Sequence, residues 1–342
     1  MIPHSRPSLG IEEEQAALRV IRSGMLAQGA EVELLEQRLS EQMAVKHVIA
    51  VNSGSAALHL ALRVLDLPTN SNVILPSYVC TALLNALQLV GATPVISDID
   101  PQTYQLLPHS QQQTQIHAIL APHMFGHTVD LEPLQTMGVP IIEDCALALG
   151  AHYKDRPVGS YGTLAVCSFY ATKVICGGEG GAIATSDDSL AAHLRDLRDY
   201  DGRKDSKLRY NYKLTDLQAA IIHAQLDKLE LFLKRRRDLG KYYSQVLSKT
   251  QATLPTFKAG EFPFRYVVTH PKDATDIIAA FESHGISVRN PVFYPLHNVL
   301  GLDNATYPHT THAHKHAVSI PLYPDLSDTE VDHILQAAQE VL

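Results

Sequence analysis

Three short stretches of this chain place polar side chains where chemistry can be done. The first, Ser53-Gly54-Ser55, stands between the apolar run VIAV and the helical pattern AALHLAL. A helix N-terminus offers free N–H groups and a partial positive charge, which suits a phosphate. Gly54 lets the backbone approach closely, and Ser55 can cap the helix while donating its hydroxyl. The same triplet is also compatible with a plain capped helix start. The second stretch is Glu143-Asp144, which closes the run VPII. An acid pair there can ligate magnesium, hold a ribose, face a protonated ring nitrogen, or simply begin a loop. Beside a pyridine nitrogen a carboxylate keeps the ring protonated, so that the ring accepts electrons from a carbanion. The third stretch is SFYATKVICGGEGGAIAT, in which Lys173 lies between a strand end and the glycines Gly177, Gly178, Gly180 and Gly181. A lysine buried in apolar or cationic surroundings loses its proton readily and attacks an aldehyde. On the surface it would be an ordinary cation before a turn. The glycines lack the Gly-x-Gly-x-x-Gly spacing of a dinucleotide site.

The elements around these stretches give them a common location. Strand-like runs cover Val48–Val51, Asn72–Leu75, Pro94–Ser97, Ala118–Ala121, Pro140–Ile142, Leu164–Phe169 and Ala182–Thr185. Helical patterns separate several of them, such as Ala56–Leu65 with Leu58, Leu62 and Leu65 on one face. Alternation of this kind implies crossover connections and a mainly parallel sheet, an α/β fold with helices on both sides. Runs as apolar as TLAVCSFY fit strands covered on both faces. In such sheets ligands collect where strands end and helices begin, and all three stretches sit at such ends. From Leu214 a helical pattern runs some thirty residues, with Thr215 or Asp216 as its cap. Beyond Lys249 come the strand-like FRYVVTH, a helix over Thr275–His284 and a closing helix over Asp328–Leu342. We therefore expect a large domain over 1–235 and a smaller C-terminal α+β domain over 236–342.

Composition narrows the class. The chain has 342 residues, 45% of them hydrophobic, so two cores can be filled. A net charge of −8 gives no general attraction to nucleic acid or anionic membranes. The basic run Lys234–Arg237 reads as a solvated helix face. Cys80, Cys145, Cys167 and Cys176 form no Cys-x-x-Cys pair, and the most apolar stretch, Val73–Ile96, is interrupted by Pro76, Asn85, Gly91 and Pro94. The expectation is a soluble, reduced, cytoplasmic protein with no membrane span. His309, His312, His314 and His316 read as a solvated loop and not as a metal site, since no carboxylate or cysteine set accompanies them.

Seven blocks in order extend the pattern: SGMLAQGAEVELLEQRL, VNSGSAALHLAL, PSYVCTALLNALQLVGATPVISDID, IIEDCALALGAHYKDRPVGSYG, SFYATKVICGGEGGAIAT, NYKLTDLQAA and VSIPLYPDLSD. With these the chain resembles, over nearly its whole length, the DegT/DnrJ/StrS family of sugar aminotransferases, which use pyridoxal 5'-phosphate (PLP). The resemblance implies the fold of aspartate aminotransferase and a homodimer. It makes Lys173 the Schiff-base lysine and proton shuttle, and Asp144 the partner of the ring nitrogen. It gives Gly54, Ser55 and Ser168 the phosphate, and Asn211 the phosphate of the neighbouring subunit. His297, in FYPLHNV, matches a position at the mouth of the substrate site. The implied reaction moves an amino group from an amino acid, glutamate, to a keto sugar carried on a nucleotide.

Three residues depart from the family pattern. Leu147 stands where a glutamine touches the cofactor's phenolic oxygen, Cys80 where an aromatic ring covers the cofactor, and Lys213 in place of an arginine. Tyr78 is the candidate to replace the missing ring. A cyclitol ketone is a variant acceptor. A sugar dehydratase of the same family would carry histidine in place of Lys173, and a silent scaffold would have no use for Lys173, Asp144, Ser168 and Asn211 together.

Overall fold

The seven strand-like runs pair into one sheet in the computed structural model, which describes residues 1–107 and 115–342. They are β1 (His47–Val51), β2 (Asn72–Pro76), β3 (Thr93–Ser97), β4 (Ala118–Pro122), β5 (Ile141–Asp144), β6 (Leu164–Ser168) and β7 (Gly181–Thr185). In space the order is β1-β7-β6-β5-β4-β2-β3. Neighbours from β6 to β3 are parallel, whereas β7 runs antiparallel to both β6 and β1. Because β7 alone is reversed, the carboxyl ends of β1 to β6 share one edge of the sheet.

Both faces of the sheet are covered, which explains the unbroken apolar runs. Side chains alternate between two cores. Val48, Ala50 and Ile141 join a core with Leu35 and Leu39 of the helix Ala30–Met43 and Ile222 of the helix Asp216–Asp227. Ile49, Val51 and Ile142 join a core with Leu60 of the helix Gly54–Val64 and Leu84 of the helix Ala82–Leu89. This two-residue period decides where neighbouring polar side chains on one strand must go.

A third core lies in the C-terminal part. There β8 (Tyr266–Thr269) and β9 (Ala317–Ile320) pair antiparallel. Tyr266, Phe281 and Ile334 fill the space between this ribbon and the helices Ala274–Ser283 and Asp328–Val341. Ile2 also packs here, bridging to Ile286, so the chain's first residues close on its last hundred.

Three local expectations change. The thirty-residue helical pattern breaks at Lys228 into Asp216–Asp227 and Leu229–Val246. Lys228 leaves helical dihedrals with φ −98° and ψ 1°, and its ammonium pairs with Glu13. Thr215 caps the first helix, accepting from the Gln218 N–H at 3.3 Å, while Asp216 accepts from the Gly29 and Val32 N–H groups and so anchors another helix start. Second, the histidine-rich stretch is the helix Pro308–His316 and not a loop, its start held by Asp98, which accepts from the N–H groups of His309 and Thr310. Third, Arg236 leaves the solvated face of the basic run: it is buried and donates to the carbonyls of Phe264 and Leu322.

Candidate active site

Five strand ends converge on one place. Ser53 follows β1, Cys80 follows β2, His123 follows β4, Asp144 closes β5, and Ser168 closes β6 five residues before Lys173. Two hollows meet there, sharing Cys80, Leu83, Asp144, Ala146 and Lys173 on their walls. One, of about 310 Å³, is lined further by Ser53, Gly54, Ser55 and Ser168. The other, of about 380 Å³, extends past His123, Leu147 and Arg265 to Phe293 and Tyr294.

The first hollow is a cup over a helix start. Ser53, and not Ser55, is the cap: its Oγ accepts from the Ala56 N–H at 3.1 Å. The first-turn N–H groups of Gly54 and Ser55 then have no intrahelical acceptor, and the exposed Ser55 hydroxyl is left to the cup. Gly54 is required by space, because a Cβ there would lie 2.8 Å from the Cβ of Ser168. Gly181, opposite Val51 on β7, meets the same demand, since its Cβ would lie 2.4 Å from the Ser53 carbonyl oxygen. The two glycines let the helix start, β6 and β7 close to contact distance.

Glu143 and Asp144 are adjacent in sequence and opposite in use. Glu143 is fully buried, and its carboxylate accepts from the N–H groups of Gly159, Tyr161 and Gly162 at 2.8, 2.8 and 2.6 Å. His123 adds a fourth donor at 3.0 Å. The other His123 nitrogen, Nδ1, accepts from the Val129 N–H, so the imidazole is the neutral tautomer that donates from Nε2. Burial alone would raise the Glu143 carboxyl, but the His123 bond and the backbone donors outweigh it and hold it below the usual range. Asp144 accepts one bond, from the Ala146 N–H at 2.9 Å. Burial pushes its carboxyl above the usual range, against the pull of that bond and of Lys173. A desolvated carboxylate with one donor, facing a hollow, is suited to a cation seated in that hollow.

Lys173 has the complementary environment. Burial lowers its ammonium below the ordinary lysine range, Asp144 and Cys80 oppose the shift, and Arg265 adds to it. An amine whose burial disfavours its charge, a carboxylate with a single donor and an open helix start thus lie on one connected wall. By type those residues fit a pyridinium phosphate, with an open helix start for an anion, a carboxylate for a ring N–H and an amine for an aldehyde.

Two expected site residues stand elsewhere. Tyr78 has no accessible surface; its ring stacks on Tyr104 at 5.7 Å and meets Phe125 edge-on. It offers no face to either hollow, and Cys80 occupies the wall in its place. His297 is likewise fully buried, with Nδ1 2.6 Å from the Ser77 hydroxyl and Nε2 3.0 Å from the Asn304 amide oxygen. It supports the loop after β2 from behind and does not line the mouth. Asn211 is exposed and lines neither hollow of its own chain. Lys213 is held by Asp199 and Asp201 at 2.6 and 2.8 Å, and Leu147 lines the larger hollow.

Two residues on this wall were not singled out from the sequence. His123 follows β4 directly, so the strand-end rule that found Asp144 applies to it equally. Arg265 is embedded in FRYVVTH, where a strand pattern masks a cation.

The chain as a whole is similar to known proteins. Residues 7–339 match the family model of the DegT/DnrJ/EryC1/StrS aminotransferases. The solved aminotransferase TlmJ from Streptoalloteichus hindustanus is 27% identical, with TM-score 0.93 over 99% of this chain and 98% of that one. S. venezuelae DesV, solved with a ketimine intermediate, is 29% identical, with TM-score 0.90 over 96% and 94%. Spr1654 of Streptococcus pneumoniae, described as a sugar aminotransferase and solved in a PLP form, is 26% identical, with TM-score 0.92 over 99% and 98%.

Proposed function

The chain belongs to the DegT/DnrJ/EryC1/StrS aminotransferase family, and from that premise we propose that it is a PLP-dependent sugar aminotransferase, moving an amino group from glutamate to a keto sugar carried on a nucleotide. The observation that carries this reading is the single wall on which Asp144 and Lys173 stand beside an open helix start. Gly54, Ser55 and Ser168 would hold the phosphate, Asp144 the ring nitrogen and Lys173 the aldehyde carbon. When bound, the pyridinium ring withdraws electrons from the carbon that loses or gains nitrogen.

The protein's own part is to hold charges and move a proton. Burial keeps the Lys173 amine ready to accept a proton, so it takes one from the donor's α-carbon and retains it for return. Asp144, short of donors, keeps its partner protonated. Val79, Leu83 and Phe125 line the larger hollow and exclude water from the exchange.

The reading extends to a homodimer in which Asn211 of each subunit reaches the other's phosphate. Its exposure, outside the hollows of its own chain, supports that role. The test offers the PLP-loaded protein glutamate with a panel of nucleotide-linked keto sugars and follows products by mass. At least one amino sugar with matching 2-oxoglutarate is expected. Amination of a cyclitol ketone or a free keto sugar, with none of the nucleotide-linked ones used, would overturn the nucleotide-linked acceptor.

A further inference from the structure

The helix Leu229–Val246 carries into the interior a charge that no acid answers. Its Arg236 is 4% exposed, with Nη1 donating to the Phe264 and Leu322 carbonyls at 2.9 and 3.0 Å. The Nε of the same side chain has no partner among the described residues. Tyr323, 1% exposed, also leaves its hydroxyl unpaired. Both side chains line one cleft of about 30 Å³ behind Lys173, which has only Lys173 and Arg265 in common with the two hollows of the active site. That volume holds one or two particles the size of water or chloride and no carbon skeleton. Arg6, Lys173, Arg236 and Arg265 stand on its lining, and no aspartate or glutamate does among the described residues. Arg6 is answered by Asp325 and Glu330 at the surface, and Asp144 acts on Lys173. Neither Arg236 nor Arg265 has a carboxylate partner among the described residues, and burial alone lowers the Arg236 guanidinium to about 10.

We propose that this cleft binds one small monovalent anion, of chloride size, between the Arg236 Nε and the Tyr323 hydroxyl. A buried charge is costly unless paired, and a buried tyrosine hydroxyl ordinarily finds a hydrogen-bond partner. A water molecule would meet the second need and leave the first; an anion accepting from both donors meets the two together. The ligand is structural and not a substrate. The cleft is walled by segments far apart in sequence: His4–Ser8 at the chain's start, Thr172–Val174 around Lys173, Arg236 of the long helix, and Leu322–Pro324 after β9. An anion held there ties parts of both bodies to one point behind Lys173. It binds the folded protein only, so its occupancy stabilises the fold by mass action.

The test melts the PLP-loaded protein in sodium chloride and in sodium gluconate at equal ionic strength, gluconate being too large for the cleft. Chloride should raise Tm saturably over gluconate. Two charge-assisted donors put the midpoint on the order of 1 mM, and a hundredfold excess over it should add roughly 4 °C. Tyr323→Phe removes one donor and no bond of the fold, and should move the midpoint up by about tenfold. Arg236→Met should abolish the difference between the two salts. If Arg236→Met fails to fold, the Tyr323→Phe arm and a crystal decide. Crystals of the PLP-loaded protein soaked in sodium bromide should show an anomalous peak between Arg236 and Tyr323. Density there without anomalous signal would be water and would overturn the proposal. A bromide peak only in the larger hollow, no chloride effect in the wild type, or an equal effect in the wild type and Tyr323→Phe would overturn it as well.

Discussion

The two sides of β5 invite comparison. Behind the strand, Glu143 is tied by His123 and three backbone N–H groups, and every lone pair has its donor. In front, Asp144 has one donor and the Lys173 amine has no hydrogen-bond partner among the described residues, so both look into an open hollow. Burial is similar; completion differs. A saturated buried carboxylate stabilises the fold, whereas an unsaturated one destabilises it until a ligand supplies what is missing. The assignment of chemistry to one side and architecture to the other can be tested by changing each side separately.

The largest effect is expected at Lys173. Lys173→Ala should reduce transamination by about 10⁴-fold, the upper range for losing a general base, and abolish the visible absorbance of lysine-bound PLP. Retained lysine-type absorbance in that variant would remove Lys173 from its role. Next comes Asp144→Asn, expected to cost about 10²- to 10³-fold in turnover because the ring nitrogen loses its anionic partner. The sign of its stability effect is the sharper result. An aspartate whose folded pKa is raised is a penalty at neutral pH, so the cofactor-free Asp144→Asn protein should melt higher, by roughly 2 °C. A lower Tm would contradict the contrast drawn here.

Glu143→Gln should do the reverse. Its loss should lower stability by about 3 kcal/mol, a factor of about 10² in the folding equilibrium, with little change in turnover per folded, PLP-loaded molecule. The folded pKa of Glu143 is depressed, so its contribution is present above the ordinary glutamate pKa and disappears as pH falls through the lower folded value. Urea midpoints should accordingly drop in acid more steeply for the wild type than for Glu143→Gln. The smallest effect concerns Asn211→Ala, which should loosen PLP by about tenfold, the worth of one hydrogen bond to a charged acceptor. At PLP concentrations too low to fill Asn211→Ala alone, mixing Lys173→Ala with Asn211→Ala subunits should restore some activity, because one site in each mixed dimer then carries neither change. No recovery after proven subunit exchange would mean that each subunit builds its site alone.

The contrast also shows what sequence can reveal. Strand runs, their parallel order and the three polar stretches were readable because period and punctuation are local, and all three lie where strand ends must lie. The split between Glu143 and Asp144 follows from the two-residue period, yet needs the sheet to show which face carries the donors. Tyr78 is the aromatic residue nearest Cys80 in sequence, yet packing against Tyr104 and Phe125 turns its ring inward. His297 was misplaced for a similar reason, since its partners Ser77 and Asn304 are distant or turn-bound in sequence. Arg265 was passed over because a strand pattern says nothing of the carboxylates a cation lacks. The histidine helix was read as a loop because its N-terminal support, Asp98, lies some 200 residues away.

The helix Leu229–Val246 carries a further consequence. Its first turns give Leu229, Phe232 and Leu233 to the sheet's core, and its later turns give Leu239 and Tyr243 to the C-terminal core. An unbroken rod embedded at both ends acts as a stiff axle between the two bodies. Swinging them apart would require bending about 27 Å of hydrogen-bonded backbone, so motion between them should be confined to small sliding shifts. Melting should be shared as well: loss of either core strips half the rod of its packing and weakens its grip on the other. The two bodies should therefore melt in one cooperative transition, and the wall carrying Lys173 and Arg265 should keep its spacing until that point.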